Sequence, residues 1–117
     1  MLKQKDLDFY ALKAEVCKTL ADPKRLYILN ALRAGEMSVG ELTSTCELNQ
    51  AVVSRHLAIL RNGGVVTARR EGTNVYYTLA DPKIGEACDV MQQVVLAKIE
   101  KNRQLAERLA ISEEADT

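Results

Sequence analysis

The sequence lacks the long apolar segments that membrane and secreted proteins carry. Its 117 residues contain no run of about 18 consecutive apolar residues, the length that a membrane-spanning helix needs. The first ten residues, MLKQKDLDFY, also lack the apolar core of a signal peptide. These two absences predict a cytoplasmic protein.

Cysteine and histidine are scarce. Cys17, Cys46 and Cys88 are three in number and widely spaced, which fits neither a disulfide framework nor a CxxC zinc pair, so we expect reduced thiols. His56 is the only histidine. The pattern contains no nucleophile with a nearby base, no cluster of carboxylates and no set of metal ligands. It therefore argues against an enzyme and predicts no metal or other cofactor.

Net charge is also absent, since 16 basic residues balance 16 acidic ones, so the total charge gives no sign of nucleic-acid binding. The distribution of charge is more informative. Between Val53 and Thr78 there are four arginines and one glutamate, whereas three basic and five acidic residues follow from Glu100 to the end. The chain thus has a basic middle segment and an acidic tail.

Helical spacing and capping signals predict three helices in the first half of the chain. The first runs from about Asp6 to Leu20, and the second opens at Asp22-Pro23 and lasts until Gly35. Ser38-Val39-Gly40-Glu41 has the spacing of a capping box, so a short third helix should begin there and stop near Cys46.

The second half begins with a helix and changes to strand-like alternation. Asn49 can cap a fourth helix that ends at Asn62-Gly63-Gly64, and the third and fourth helices form a helix-turn-helix candidate. The runs VVTARR and NVYYTL then predict a β-hairpin, with one of Tyr76 and Tyr77 in the core and the other at the base of the hairpin. Asp81-Pro82 opens a long last helix.

This order predicts a mostly α-helical winged helix-turn-helix fold, in which the β-hairpin is the wing. We expect one DNA-binding and dimerisation domain over residues 1–110 and a disordered acidic tail over residues 111–117. Taken singly, the two-helix turn could be a plain helical hairpin and the wing an ordinary solvated turn. Their combination favours DNA binding.

Two groups of side chains are the candidate DNA contacts. A helix fits the major groove, where short polar side chains and arginine can bond to phosphates and base edges. The tip of a wing can bring cations and small donors to a neighbouring backbone or minor groove. The candidates are Gln50, Ala51, Ser54 and Arg55 on the fourth helix, and Arg69, Arg70, Thr73 and Asn74 on the hairpin.

Five motifs follow one another in the middle of the chain, namely DPKRL, SVGEL, SRHL, LRNGGVV and REGTNVYY. With these motifs, the segment from about Leu20 to Pro82 resembles the ArsR (arsenic-repressor-like) family of bacterial winged-helix regulators. The resemblance implies repression of a nearby operon by a homodimer on an inverted repeat of double-stranded DNA, released by an inducer. It also implies pairing of the two copies through their first and last helices.

The family pattern implies DNA contacts by Gln50, Ser54, Arg55 and His56, by Ser38 at the start of the supporting third helix, and by the wing tip from Arg69 to Asn74. Two roles stay open for His56. It shares a side of the helix with Val52 and Leu60, so it is either a structural, hydrogen-bonded histidine or a DNA contact.

The inducer is not defined by the sequence. One metal site of the family uses cysteines in the supporting helix, and the equivalent stretch from Met37 to Glu41 has none. Another uses ligands on the last helix; Asp81 aligns with its first position, but the later positions fall near Lys83, Val94 and Ala97, which do not bind zinc. Both metal sites are expected to be absent.

The cysteines leave a second alternative for sensing. Cys46 is expected to pack in the core, whereas Cys17 and Cys88 lie on the two dimer helices. There they are either small buried hydrophobes or a thiol pair that responds to arsenite, an oxidant or a persulfide. The dithiol sensors of the family place one cysteine in the second helix, where this chain has Asn30. A different class of function also stays open, in which the wing docks another protein instead of DNA.

Overall fold

Five helices and a small antiparallel sheet make up the fold. The computed structural model describes the backbone of residues 3–116 and the side chains of residues 3–110. The helices are α1 Gln4–Leu20, α2 Pro23–Leu32, α3 Val39–Cys46, α4 Gln50–Asn62 and α5 Lys83–Asp116, and the strands are β1 Met37–Ser38, β2 Val66–Glu71 and β3 Asn74–Leu79. The mostly helical winged helix-turn-helix fold is confirmed.

Three helices begin at the capping residues that the sequence indicates. The Asp22 side chain accepts hydrogen bonds from the backbone N–H groups of Lys24 and Arg25, at 2.9 and 3.2 Å, ahead of a proline at the first position of α2. Ser38 caps α3, and Asn49 caps α4 by accepting from the N–H of Ala51 at 2.8 Å. These bonds satisfy N–H groups that have no partner within the helix.

The second helix ends earlier than the sequence suggests. α2 stops at Leu32, and the chain reaches Gly35 through three tight turns in which each N–H bonds to the carbonyl three residues before it. Gly35 follows these turns with φ +135°, a conformation that favours glycine. The glycine therefore marks the end of the turn segment and not the end of the helix.

The wing is part of a three-stranded sheet with strand order β1-β3-β2, and both strand pairs are antiparallel. In the hairpin, Glu71 pairs with Asn74, so Gly72 and Thr73 form a two-residue loop. Gly72 has φ +63°, as the first position of such a loop requires. Strand β1 was not predicted, because two residues are too short to display alternation.

The core lies where α2, α3 and α4 meet the base of the sheet. Its fully or nearly buried members are Ile28, Leu29, Leu32, Leu42, Cys46, Val53, Leu57, Leu60, Val65 and Val66. Tyr77 packs against this core, whereas Tyr76 lies beneath the Arg69 guanidinium, which confirms the two different positions expected for these tyrosines. The position of Cys46 in the core is also confirmed.

The chain divides into two compact units, Met1–Gly85 and Glu86–Thr117. The first contains α1 to α4, the sheet and the start of α5, and the second consists of the remainder of α5. The single domain over residues 1–110 stays a prediction. So does the disordered tail over residues 111–117, since its side chains and all of Thr117 lie outside the described residues.

Candidate nucleic-acid interface

Helix α4 presents a polar face to solvent. Gln50, Ala51, Ser54 and Arg55 are all exposed, whereas Val53 and Leu57 of the same helix are buried. The 3.6-residue period of the helix produces this separation, because residues one or two places apart point in different directions. The four residues predicted on α4 thus lie together on one exposed side of the helix.

A short turn joins α3 to α4. Glu47 adopts a left-handed conformation, with φ 52°, directly after the end of α3 at Cys46. A left-handed residue commonly ends a helix, although glycine is the usual choice. Asn49 then begins α4, so the connection between the two helices is only three residues long.

His56 lies on the opposite, buried side of α4. His56 is only 4% exposed, and its Nδ1 lies 3.4 Å from Arg25 Nη1. Burial lowers the pKa of the imidazole and keeps it neutral at physiological pH. This position fits the structural role that the sequence left open, and it sets His56 apart from the four exposed residues.

Ser38 uses its hydroxyl within the protein. The Ser38 Oγ accepts from the Glu41 N–H at 3.1 Å and donates to the Glu41 carboxylate at 3.3 Å. These two bonds make Ser38 the cap of α3, and its side chain is only partly exposed. Its first task is therefore to fix the start of the supporting helix beneath α4.

Arg69 is bound to two carboxylates on one face of the wing. Its Nη2 and Nε lie 2.6 and 3.1 Å from the Glu36 carboxylate oxygens, and its Nη1 lies 2.7 Å from Glu71. Its guanidinium carbon is also 4.9 Å from the centre of the Tyr76 ring. The hydrogen bond from Arg69 lowers the pKa of Glu36, so this pair stays ionised at neutral pH.

The other predicted wing residues remain exposed. Arg70 points to the opposite face of β2 from Arg69, because side chains alternate along a strand. Among the described residues, no ion pair holds the Arg70 guanidinium. Thr73 and Asn74 are also exposed at the tip. Of the two wing arginines, Arg69 is therefore the one that carboxylates hold in the described structure.

The described residues contain neither a cluster of metal ligands nor a membrane-spanning helix. Among the described residues, no group of three or more His, Cys, Asp and Glu side chains is placed to hold a metal ion. None of the described helices is long and apolar enough to cross a bilayer. Cys17 is exposed and Cys88 is half-buried.

Known proteins are similar to this chain in both sequence and fold. The model of the family "Bacterial regulatory protein, arsR family" matches residues 22–68. The HTH-type transcriptional regulator Rv0081 of Mycobacterium tuberculosis is 42% identical over 106 residues, which cover 90% of this chain and 88% of the relative. The biofilm growth-associated repressor of Agrobacterium fabrum is 37% identical over 84 residues, 72% of each chain.

Solved structures agree with these matches. The crystal structure of Rv0081 has a TM-score of 0.68 at 44% identity and covers 81% of this chain and 95% of that chain. An NMR structure from Mycobacterium bovis, described as the homodimeric winged helix-turn-helix DNA-binding domain of Mb0332, has a TM-score of 0.71 at 33% identity. It covers 81% of this chain and 88% of that chain.

A helix-turn-helix with an exposed polar second helix, followed by a basic wing, defines a DNA-binding transcription regulator of the winged helix-turn-helix class. The similarity to known regulators, which extends over most of the chain, identifies the family within this class. The protein belongs to the arsR family of bacterial regulatory proteins.

Proposed function

We propose that the protein represses transcription by binding an inverted-repeat operator as a homodimer, with α4 in the major groove and the wing on the adjacent backbone. The observation that carries this proposal is the shared exposure of Gln50, Ser54 and Arg55 on one face of α4. Glutamine and arginine are the side chains that pair with adenine and guanine edges in the major groove. A bacterial repressor acts on cytoplasmic DNA, so we infer the same location for this protein.

A homodimer explains the apolar side chains that the single chain leaves in water. In α1 these are Leu7, Phe9, Tyr10, Leu12 and Val16, and in α5 they are Val90, Met91, Val94, Val95, Leu96, Ile99, Leu105 and Leu109. Exposed apolar groups of this number are typical of protein interfaces. The homodimeric Mb0332 domain supports the same assembly.

The direct test is fluorescence anisotropy on DNA from upstream of the protein's own gene, with Arg55→Ala as the first variant. If Arg55 bonds to a base, its loss costs about 1–3 kcal/mol of specific binding. Lys83→Ala removes one exposed positive charge at the start of α5, ahead of the exposed apolar side chains of that helix, and is the control. Equal losses in the two variants would contradict a specific role for Arg55, and a reporter gene behind the operator separates repression from activation.

The two wing arginines should behave differently. Arg70→Ala is expected to weaken binding to all sequences and to reduce the slope of log affinity against log salt by about one for each phosphate that the arginine neutralises. Arg69→Ala removes a side chain that is already paired with Glu36 and Glu71, so it should alter that slope less. The salt slopes of the two variants, measured on operator and random DNA, check this order.

The alternative function, in which the wing docks another protein, predicts a different result. The chain would then bind no DNA and would form a complex with another protein whose affinity does not depend on salt.

The inducer is tested in the same assay by adding diamide, arsenite or zinc to the reduced protein. Release by diamide or arsenite that disappears in the Cys17→Ser and Cys88→Ser variants would favour thiol sensing. No response to any of the three would favour a ligand that does not use cysteine.

A further inference from the structure

One arginine connects the end of α1 to the recognition helix α4. Arg25 lies in the first turn of α2, where its Nε donates to the Thr19 carbonyl at 2.6 Å and its Nη2 to the Lys18 carbonyl at 3.4 Å. Its Nη1 lies 3.4 Å from the His56 Nδ1 on α4. The rigid fork of the guanidinium thus contacts both the end of α1 and the middle of α4, where His56 lies 31 residues after Arg25 in the sequence.

The chemistry of this contact determines the tautomer of His56. A guanidinium only donates hydrogen bonds, so the Nδ1 of His56 must accept and must carry no hydrogen. The neutral ring then has its hydrogen on Nε2. That atom is buried, has no hydrogen-bond partner within the described part of the chain, and lies 3.9 Å from the Asp22 Oδ1.

Protonation of His56 would break the contact. It adds a hydrogen to the His56 Nδ1, which then can no longer accept from Arg25. The guanidinium and the imidazolium would face each other as two donors that both carry a positive charge. Burial lowers the pKa of His56 most strongly, Asp22 acts in the opposite direction, and the cations Arg55, Arg25 and Lys24 lower it further. The neutral, accepting form is therefore the one that the folded protein favours.

A second contact joins the same two helices. Gly63, at the end of α4, lies against the Thr19 side chain so closely that an added Cβ would be 2.6 Å from its Cγ2. Thr19 is also the residue whose carbonyl accepts from Arg25. The last turn of α1 thus contacts α4 directly at one end and, through Arg25, near its middle.

We propose that Arg25 and neutral His56 are positioning residues for DNA recognition: they fix α4 relative to the end of α1, and protonation of His56 releases α4 and weakens DNA binding. This inference rests on the proposed function. Neither side chain needs to touch DNA, because each acts on the exposed residues of α4 through the placement of the helix.

The first test is the pH dependence of DNA affinity between pH 7.5 and 5.5. Wild-type affinity should fall by about three- to tenfold as the pH decreases, since binding requires the deprotonated ring and one proton changes an equilibrium by at most tenfold per pH unit. His56→Asn places an oxygen near the position of Nδ1 and does not titrate, so its affinity should change less over this range. Matching pH profiles for the wild type and His56→Asn would overturn the proposal.

The second test compares variants at pH 7.5. His56→Leu fills the site without an acceptor, and Arg25→Lys keeps the charge but loses the fork. His56→Leu should bind the operator about five- to tenfold more weakly than His56→Asn. Arg25→Lys should bind it more weakly than the wild type by the same factor. All of these proteins are compared at a temperature where circular dichroism shows them to be folded. Arg103→Lys makes the same exchange in an exposed arginine on α5 that bonds to Glu100, and as the matched control it should stay within about twofold. Unchanged affinity in Arg25→Lys would contradict the proposal.

The third test needs no DNA and separates failure of this inference from failure of the proposed function. Nitrogen-15 NMR of the free protein should show the Nε2–H tautomer, and His56 is the only histidine that contributes a signal. An Nδ1–H tautomer in the wild type would overturn the inference whatever the DNA result. The Nε2–H tautomer in a protein that binds no DNA at pH 7.5 would support the contact and contradict the proposed function.

Discussion

Replacing Leu57 with alanine is expected to lower the free energy of unfolding by about 2–5 kcal/mol, the range for truncating a fully buried leucine. Leu57 is 0% exposed and lies on the inner side of α4, within the cluster that joins α2, α3 and the base of the sheet. The cost combines the lost burial of the side chain with the cavity that it leaves. It is a large part of the roughly 5–15 kcal/mol that stabilises a typical domain, so chemical denaturation will detect it readily.

Ile59→Ala is the matched control for this prediction. It removes an aliphatic side chain from the same helix, two residues further on, but Ile59 is 38% exposed. We expect it to cost about 1 kcal/mol or less, because neighbouring atoms and water already fill the space around it. Equal losses of stability in the two variants would mean that α4 does not pack on the core as described.

The second large effect is expected from Val94→Glu. Val94 is 58% exposed in the single chain and lies on α5 among other exposed apolar side chains. In the proposed homodimer, the variant would bury a carboxylate without a partner and would bring like charges together at the interface, at a cost of about 3 kcal/mol or more. That cost corresponds to a change of about a hundredfold or more in the dimerisation constant.

Sedimentation and operator binding measure this effect together. The Val94→Glu protein should sediment as a monomer and lose tight operator binding, because one subunit covers only one half-site. Gln93→Glu introduces the same carboxylate next to Val94, on the polar side of the helix that carries Asp89 and Glu100, and should remain dimeric. A stable Val94→Glu dimer would refute the role of this face of α5.

Local sequence signals predicted most of the fold. Asp22, Ser38 and Asn49 start helices through bonds to N–H groups within three residues, so their effect is readable from spacing alone. The hairpin was predictable for the same reason, but its loop is one residue shorter than the expected Glu71-Gly72-Thr73, because Glu71 still pairs with Asn74. Strand β1 was not, since its existence depends on the pairing of Met37 with Tyr77, far along the chain.

The candidate interface was predictable only in part. Helical period placed Gln50, Ser54 and Arg55 on an exposed face, because that period is a local property. The partner of Arg69 was not predictable, since Glu36 lies 33 residues away in the sequence. For His56, the sequence supported two roles, and the burial of the ring against Arg25, which favours the structural role, is not visible in residue spacing. Residue spacing does not predict contacts between segments that are far apart in the sequence.

The Arg69–Glu36 pair also bears on the entropy of complex formation. Both side chains are partly in water, where such an ion pair adds only about 0–1 kcal/mol to stability. Its larger consequence is that, together with the pairing of β1 with β3, it joins the hairpin to the segment before β1 before any ligand arrives. A wing that is already held in one geometry has less conformational freedom to lose on binding. If the wing lies on DNA as proposed, it will also adapt less to a duplex of the wrong shape, and its rigidity will then contribute to the choice of binding site.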